Sequence, residues 1–303
     1  MRRNRRKPGK NNSKKAFQII KDLTQQKLSR TTTIQDKNGV CLTDEKDIID
    51  RGTEYCSDLY NHKTQKDPNI IKSHDTSNVD NVPILREEIV AAIRSLKNEK
   101  AVGADNIPAE LFKYGGTVVI DILTKVCIKI WQTGEWPTPW TRSLIITLPK
   151  KGNLQKCQNY RTISFISHAS KVMLKVILSK LRPQAEGITA EEQDGFRCKR
   201  STAEQTFNLR ILFEKLSQHQ QNICHVFIDF KKAFDRVRHE ALWDTMNKYN
   251  MEQKLIQSIK NPYSKATSVV FIHGRVGDSF TQKSESVKDV FCLQHFLISS
   301  WSA

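Results

Sequence analysis

The sequence predicts an α+β fold in which a helical region precedes a region containing strands. Apolar residues recur at helical spacing between residues 85 and 140, and short alternating apolar runs follow from Trp140 onward. The run Val226–Ile228 is β-branched or aromatic, as strands prefer, and it ends at Asp229. A carboxylate at a buried strand end is costly unless a cation compensates it, so Asp229 is a candidate functional residue.

Helices are predicted first along the chain, because the apolar residues share one face at a period of 3.6. Glu87 and Glu88 favour a helix start near residue 85 through the helix dipole, and Gly103 and Pro108 interrupt the pattern. The predicted helices of this half cover residues 14–28, 85–101, a short stretch from Pro108, and 116–133.

The second half is predicted to mix strands and helices. Residues 144–148 form a strand that returns through residues 159–162 as a β-hairpin, and Arg182 with Pro183 is expected to end the helix that follows. Ser201 and Glu204 have the spacing of a capping box. The further predicted elements are helices 167–181, 201–219 and 238–249, a strand 223–230, and a hairpin of strands 267–273 and 278–284.

Charge points to a polyanionic partner. The chain has 49 Lys and Arg against 32 Asp and Glu, a net charge of +17, and a pI near 9.6. Charge alone does not separate a polymerase from a ribosomal or chromatin protein.

The 7 cysteines show no C-x-x-C spacing, so we expect reduced thiols and neither a disulfide framework nor a zinc module.

The first residues carry no secretory signal. The start, MRRNRRKPGK, lacks an apolar core, and no apolar run approaches the roughly 20 residues that span a bilayer. We therefore expect a nuclear or cytoplasmic protein that is not secreted and has no membrane partner. Residues 1–13 are too charged to pack and are predicted to be disordered; a nuclear localisation signal, an RNA-binding arm and a plain linker all remain open.

Several ordered motifs resemble one family. They are FIDFKKAFDRV (227–237), NYRTISFISHASKVMLKVI (159–177), QDGFRCKRSTAEQ (193–205), GADNIPAELFKYGG (103–116) and WPTPWTRSLIITLPKKGN (136–153). Together they are similar to reverse transcriptases of non-LTR (LINE-type) retrotransposons over most of residues 15–287. The resemblance implies the fingers and partial palm of a right-hand polymerase, preceded by a helical region.

With this resemblance the chain divides into six predicted segments. They are a basic disordered tail 1–13, an N-terminal helical linker region 14–61, a polar linker 62–84, a helical layer 85–140 ahead of the fingers, the reverse transcriptase fingers and partial palm 141–287, and an aberrant tail 288–303. A frameshift near Lys288 is our hypothesis for the aberrant tail, because the family pattern is lost there.

The family resemblance also implies roles for individual residues. Asp229 would be catalytic and would bind metal together with the backbone carbonyl of Phe230, at a site that holds two Mg²⁺ ions in an intact member. Phe234 would exclude a nucleotide's 2′-hydroxyl. A fingers hairpin would project Lys150, Lys151 and Arg161 toward a triphosphate, and the resemblance assigns Arg161 to the incoming nucleotide. The implied template-binding residues are Gln193, Gly195, Phe196 and Arg197.

Simpler interpretations exist for several of these residues. Asp229 could cap a turn, Phe234 could be a core aromatic residue, and Lys150, Lys151 and Arg161 could be ordinary surface cations. His168 has no carboxylate or cysteine partner nearby in sequence and is expected to be structural. The helix that contains it offers further cations to a template backbone, namely Lys171, Lys175 and Lys180.

A second catalytic carboxylate is missing from the sequence. Two-metal catalysis needs one from another strand, and no [FY]-A-D-D motif follows Asp235. Whether the chain is an enzyme is therefore left open: we expect a truncated RNA-directed DNA polymerase that is inactive on its own, and the alternative is a noncatalytic RNA- or DNA-binding remnant. Expected partners are an RNA template, a DNA primer and deoxynucleoside triphosphates, with the oligomeric state undetermined. An unpaired palm edge would favour aggregation.

Overall fold

The computed structural model describes residues 33–61, 82–195, 197, 200–229, 237–281 and 284–285. The strands are β1 Ile34–Gln35, β2 Cys41–Leu42, β3 Arg142–Pro149, β4 Tyr160–Phe165, β5 Val237–Arg238, β6 Thr267–Ile272, β7 Arg275–Thr281 and β8 Ser284–Glu285. The helices are α1 Glu45–Tyr60, α2 Arg86–Arg94, α3 Ala109–Tyr114, α4 Gly116–Thr133, α5 His168–Ile188, α6 Thr202–Gln218, α7 His239–Lys248 and α8 Gln253–Ser264. Two short 3₁₀ helices cover Thr138–Trp140 and Cys157–Asn159.

The central sheet has four strands in the order β4-β3-β6-β7. The antiparallel hairpin β3–β4 confirms the hairpin predicted there, and β6–β7 confirms the second one, with β7 beginning at Arg275 rather than at residue 278. Strand β6 runs parallel to β3, so both hairpins belong to one sheet. The expectation that β6 and β7 would share a sheet with a strand at 223–230 is wrong for the described part of that segment, because residues 221–229 form no strand.

Helix α1 covers one face of this sheet. Gly52 lets the helix approach β6, because a Cβ atom at this position would lie 2.8 Å from Cδ1 of Ile272. Ile145 and Val270 on the strands pack against Cys56, Leu59 and Tyr60 on the helix. The buried hydroxyl of Tyr60 donates a hydrogen bond to Oγ1 of Thr162 at 2.9 Å. The sequence did not predict this packing of α1 on the sheet.

The main hydrophobic core lies among the helices. Leu123, Cys127, Ile130 and Trp131 are buried on α4, as the helical spacing predicts, and Ile120 is packed against them. Helices α2, α3, α5, α7 and α8 contribute most of the other buried residues, among them Val172, Met173, Ile177 and Leu181 of α5. The helical layer and the elements after residue 141 therefore share one core.

The structure corrects the predicted ends of helices α2 and α5 and confirms the predicted bounds of α4. Helix α2 ends at Arg94, several residues before the predicted end, whereas α4 has the predicted bounds. Helix α5 does not end before Pro183 but continues to Ile188. A proline inside a helix costs about 3 kcal/mol. Leu181 and Ala185 are buried on either side of Pro183, and this packing keeps the helix intact.

Helix α6 differs from the other long helices because none of its residues is buried. Its predicted capping box is confirmed: Ser201 Oγ accepts a hydrogen bond from the Glu204 amide at 3.3 Å, and Glu204 Oε2 accepts one from the Ser201 amide at 3.0 Å. The predicted helix 14–28 and the tail 288–303 lie outside the described residues.

The five cysteines that the structure describes are free thiols, and burial raises the pKa of Cys127 to about 12, so this thiol stays protonated. Among the described helices, none is both long and apolar enough to cross a membrane.

Candidate nucleic-acid interface

Arg161 lies on the sheet face that α1 does not cover. Side chains alternate between the two faces of a strand. Thr162 is buried and bonded to Tyr60 of α1, so its neighbour Arg161 belongs to the opposite face. Arg161 is paired with Leu148 across β3 and β4, and it is exposed. The structure thus places the sequence-predicted guanidinium on an open surface.

Apolar side chains share this open face with Arg161. They belong to none of the three buried clusters of the described residues. Leu148, next to Arg161, is 44% exposed and the others are half-buried, whereas Val269, paired with Leu144, is 2% exposed, so the face is open at the Arg161 end. The residues concerned are Leu144, Ile146, Leu148, Ile163, Phe165 and Phe271. An apolar surface with an arginine at one end suits a ligand that combines flat rings with phosphates, since arginine binds phosphate through paired hydrogen bonds.

The loop between β3 and β4 brings two predicted lysines to the same end of the hairpin as Arg161. The Lys150 amide donates to the Asn159 carbonyl oxygen at 2.7 Å, which closes the loop directly after the Pro149–Tyr160 pair. Gly152 follows with a φ of +113°, a backbone angle that side-chain-bearing residues rarely adopt. Lys151 is exposed. The backbone positions of Lys150, Lys151 and Arg161 are therefore clustered at the hairpin tip.

The predicted template-binding turn is anchored by its own arginine. Nε of Arg197 donates to Oε2 of Glu186 at 3.2 Å, and Nη1 donates to the Ala190 carbonyl oxygen at 2.9 Å. Its side chain is only 10% exposed. Gln193 donates from Nε2 to the Gly195 carbonyl oxygen at 3.4 Å. Arg197 thus ties the turn to the end of α5, and Phe196 lies outside the described residues.

Asp229 ends an exposed segment. Val226, Phe227 and Ile228 are 83%, 80% and 76% exposed, and the Asp229 side chain is exposed as well. A strand needs a partner to satisfy its backbone groups, and no described strand pairs with residues 221–229. The segment instead folds back on α6, where the His225 ring lies 5.4 Å from Phe213. Phe230 and Phe234 fall outside the described residues.

The described residues do not form a complete metal site. They contain no group of three or more His, Cys, Asp or Glu side chains that could hold an ion. Asp229 supplies one carboxylate, and a two-ion centre needs more oxygen ligands than this. The part of the chain that the structure describes therefore does not by itself fit two Mg²⁺ ions.

Two further residues of α5 were given roles from the sequence: Lys180 as a cation that could contact a template, and His168 as a structural residue. Lys180 is not free for a template, because its Nζ lies 2.9 Å from Oε1 of Glu88 and donates to the Pro83 carbonyl oxygen at 3.2 Å. This corrects the expectation from sequence. His168 is 2% exposed, and burial together with Lys171 lowers its pKa, which agrees with the structural role predicted for it.

Part of the chain matches a known protein family. Residues 148–284 match the family described as reverse transcriptase (RNA-dependent DNA polymerase). Similar proteins include the probable RNA-directed DNA polymerases from the transposons BS and X-element of Drosophila melanogaster, 29% and 30% identical over 197 and 181 residues. Residues 148–284 carry a reverse transcriptase domain similar to those of non-LTR retrotransposons. A transposon TX1 protein of Xenopus laevis is 26% identical to this chain over 191 residues.

The reverse transcriptase domain is only part of these relatives. The matched regions cover 60%, 58% and 63% of this chain, but 22%, 19% and 15% of the BS, X-element and TX1 proteins. The family match begins inside β3 and ends at β8. Helices α1 to α4 lie outside the family match, yet α1 packs on the domain's sheet and α2 to α4 share its helical core. Reverse transcriptases generally use divalent metal ions.

Proposed function

We propose that this chain contains the fingers and the beginning of the palm of an RNA-directed DNA polymerase, and that the open face of the four-stranded sheet binds its nucleic-acid substrates. The observation that carries the proposal is Arg161. It lies exposed beside the apolar side chains of that face, inside the segment that matches the reverse transcriptase family. A guanidinium there can meet a triphosphate while the apolar side chains support bases.

The roles follow from this placement and from the family motifs. Arg161, Lys150 and Lys151 bind the phosphates of the incoming deoxynucleotide at the hairpin tip. Asp229 and the Phe230 carbonyl bind metal, and Phe234 excludes ribonucleotides. The turn of Gln193, Gly195, Phe196 and Arg197 lies along the template, with Arg197 holding its shape through Glu186.

We also propose that the chain on its own binds nucleic acid without polymerising. One carboxylate cannot hold two ions about 3.5–4 Å apart. A noncatalytic binding remnant is the competing function, and the exposed position of Asp229 on a segment that forms no strand favours it. Both functions use the basic fingers, so catalysis and the requirement for Arg161 must be measured separately.

A calorimetric titration with dTTP and Mg²⁺ tests the role of Arg161. Charge-assisted hydrogen bonds contribute about 1.5–3 kcal/mol, so Arg161→Ala should weaken binding by roughly 10-fold or more. Arg182→Ala is a matched control, because Arg182 is also exposed but lies on α5. Equal effects of the two substitutions would remove the assignment of Arg161 to the nucleotide.

Primer extension tests catalysis. An RNA template, a DNA primer, Mg²⁺ and deoxynucleotides are supplied to the full chain. We expect binding without incorporation. Incorporation that Asp229→Ala abolishes would show that the chain is a working polymerase and would refute its predicted inactivity.

A further inference from the structure

The loop between β3 and β4 is cross-linked by its own hydrogen bonds. We call residues 150–159 the tip loop. Oδ1 of Asn153 accepts a hydrogen bond from the Gln155 amide at 2.9 Å, and the Asn153 carbonyl oxygen accepts one from Nδ2 of Asn159 at 2.8 Å. The Asn159 carbonyl oxygen in turn accepts the bond from the Lys150 amide. The position of Gln155 is therefore linked to that of Lys150 through Asn153 and Asn159.

A segment far upstream supports the tip loop from outside. The amide of Gln35, in β1, donates a hydrogen bond to the Gln155 carbonyl oxygen at 2.7 Å. The side-chain amide of Gln35 also donates from Nε2 to Oε1 of Gln155 at 3.5 Å, between residues 120 positions apart. Ile34, Ile48 and Cys157 form a buried cluster. A polar contact and an apolar contact thus join the same two segments.

The hairpin β1–β2 is fixed in its turn to α1. We call residues 34–42 the brace. The amide of Asp36 donates to the Val40 carbonyl oxygen at 2.9 Å and closes the turn of the brace. Nε of Arg51, in α1, donates to the Gln35 carbonyl oxygen at 3.4 Å, and the Arg51 side chain is only 13% exposed. Because α1 is docked on the sheet, contacts run from the sheet through α1 and the brace to the tip loop.

The brace does not fill the space behind the tip loop. A cavity of about 420 Å³ lies between residues 35–39 of the brace, Arg51 and residues 156–158 of the tip loop. The contacts at Gln155 and Cys157 therefore lie beside open space and not inside a large core. A loop with few packed neighbours shifts easily when one of its contacts is removed.

We propose that the brace positions the tip loop for the triphosphate, with Ile34 and Gln35 as positioning residues. The proposal rests on the proposed function, in which Lys150, Lys151 and Arg161 bind the phosphates. Groups that are already held in the bound arrangement bind more tightly, because less conformational freedom is lost on binding. The brace lies before the segment that matches the family, so this part of the chain gains a role in nucleotide binding.

Two substitutions weaken the brace in different ways. Gln35→Pro removes the amide that donates to the tip loop. This amide points away from Cys41, because the bonded Asp36–Val40 pair comes next in the ladder and bonded and non-bonded pairs alternate. Proline at position 35 therefore leaves the hydrogen bonds between β1 and β2 in place. Ile34→Ala keeps the backbone bond and shortens the side chain that packs on Cys157.

The same hairpin offers a matched control for each variant. Cys41→Pro changes the residue directly opposite Gln35, and among the described residues the Cys41 amide makes no hydrogen bond to the tip loop. Val40→Ala shortens a side chain that is 60% exposed. Both controls alter the brace without removing a contact to the tip loop.

Calorimetric titration of the full chain with dTTP and Mg²⁺ measures the affinity, and hydrogen exchange of the Lys150 amide measures the order of the tip loop. Gln35→Pro and Ile34→Ala should each weaken dTTP binding about threefold to tenfold and quicken this exchange by a similar factor. The controls should change neither. A purely structural role would lower the folded fraction, which reduces the stoichiometry of the titration and leaves the affinity unchanged.

Arg161→Ala in the same titration separates this proposal from the proposed function. The brace proposal alone is overturned if Arg161→Ala weakens dTTP binding while Gln35→Pro and Ile34→Ala do not, or if the two controls weaken binding as much as these variants. If Arg161→Ala leaves the affinity unchanged, the proposed function fails, and the role of the brace in nucleotide binding fails with it.

Discussion

The packing of α1 on the sheet gives a quantitative prediction for Tyr60→Phe. Tyr60 is fully buried and Thr162 is 4% exposed, and the hydrogen bond between them is 2.9 Å long. Removing the tyrosine hydroxyl leaves a buried Thr162 hydroxyl without this donor. The expected loss in unfolding free energy is about 1–3 kcal/mol.

A double-mutant cycle isolates this bond from the rest of the interface. Thr162→Val should cost a similar amount, and the double variant should cost less than the sum, with a coupling energy of about 1 kcal/mol. Urea denaturation followed by tryptophan fluorescence measures all four proteins. Tyr114→Phe is the control, since that ring is 71% exposed and its variant should change stability by less than about 0.5 kcal/mol.

The cycle can refute the packing itself. Strictly additive effects would mean that the two hydroxyls do not interact. If Tyr60→Phe were as mild as Tyr114→Phe, α1 would not be docked on the sheet at all. Helix α1 would then not contribute to the packing of the sheet.

Three further predictions concern α6, the segment after it and α7. Ser201→Ala should cost α6 about 1 kcal/mol of local stability; because no α6 residue is buried, hydrogen exchange of 202–218 should quicken while the global urea midpoint stays unchanged. Phe227→Asp should reduce aggregation, measured as light scattering at high concentration, because it replaces an exposed apolar ring with a charge. Since Phe227 is 80% exposed, the free energy of unfolding should change by less than about 0.5 kcal/mol, and a larger loss would mean that the ring is buried. Burial lowers the pKa of His239 in the folded chain to about 4, whereas a histidine in the unfolded chain has a pKa of about 6.5. Between these two pH values the unfolded chain binds a proton that the folded chain does not, so the free energy of unfolding should fall as the pH drops from about 6.5 toward 4. An NMR titration checks this pKa, and His239→Phe should remove that part of the pH dependence.

Local patterns predicted most helices and both hairpins. The spacing of Leu123, Cys127 and Ile130 was enough for α4, and Ser201 with Glu204 was enough for the start of α6. These signals are carried by residues within a few positions of each other. The prediction for Pro183 failed because a local rule was applied where core packing decides the outcome.

The candidate site was predicted in part. Motif residues indicated Arg161 and the hairpin tip, and the structure places them on the open face of the sheet. The contact between Lys175 and Ser95 was missed because the two residues are far apart in sequence. Lys180 was misassigned for the same reason, since its partner Glu88 belongs to another helix.

Ordered motifs, composition and local periodicity were enough to predict the family resemblance, the strongly basic character and the type of most elements. Tertiary structure alone decided which sheet face stays open, which lysines are paired internally, and that residues 221–229 form no strand in the described chain. Those outcomes depend on contacts between residues distant in sequence, and a strand in particular exists only where another strand supplies its hydrogen bonds.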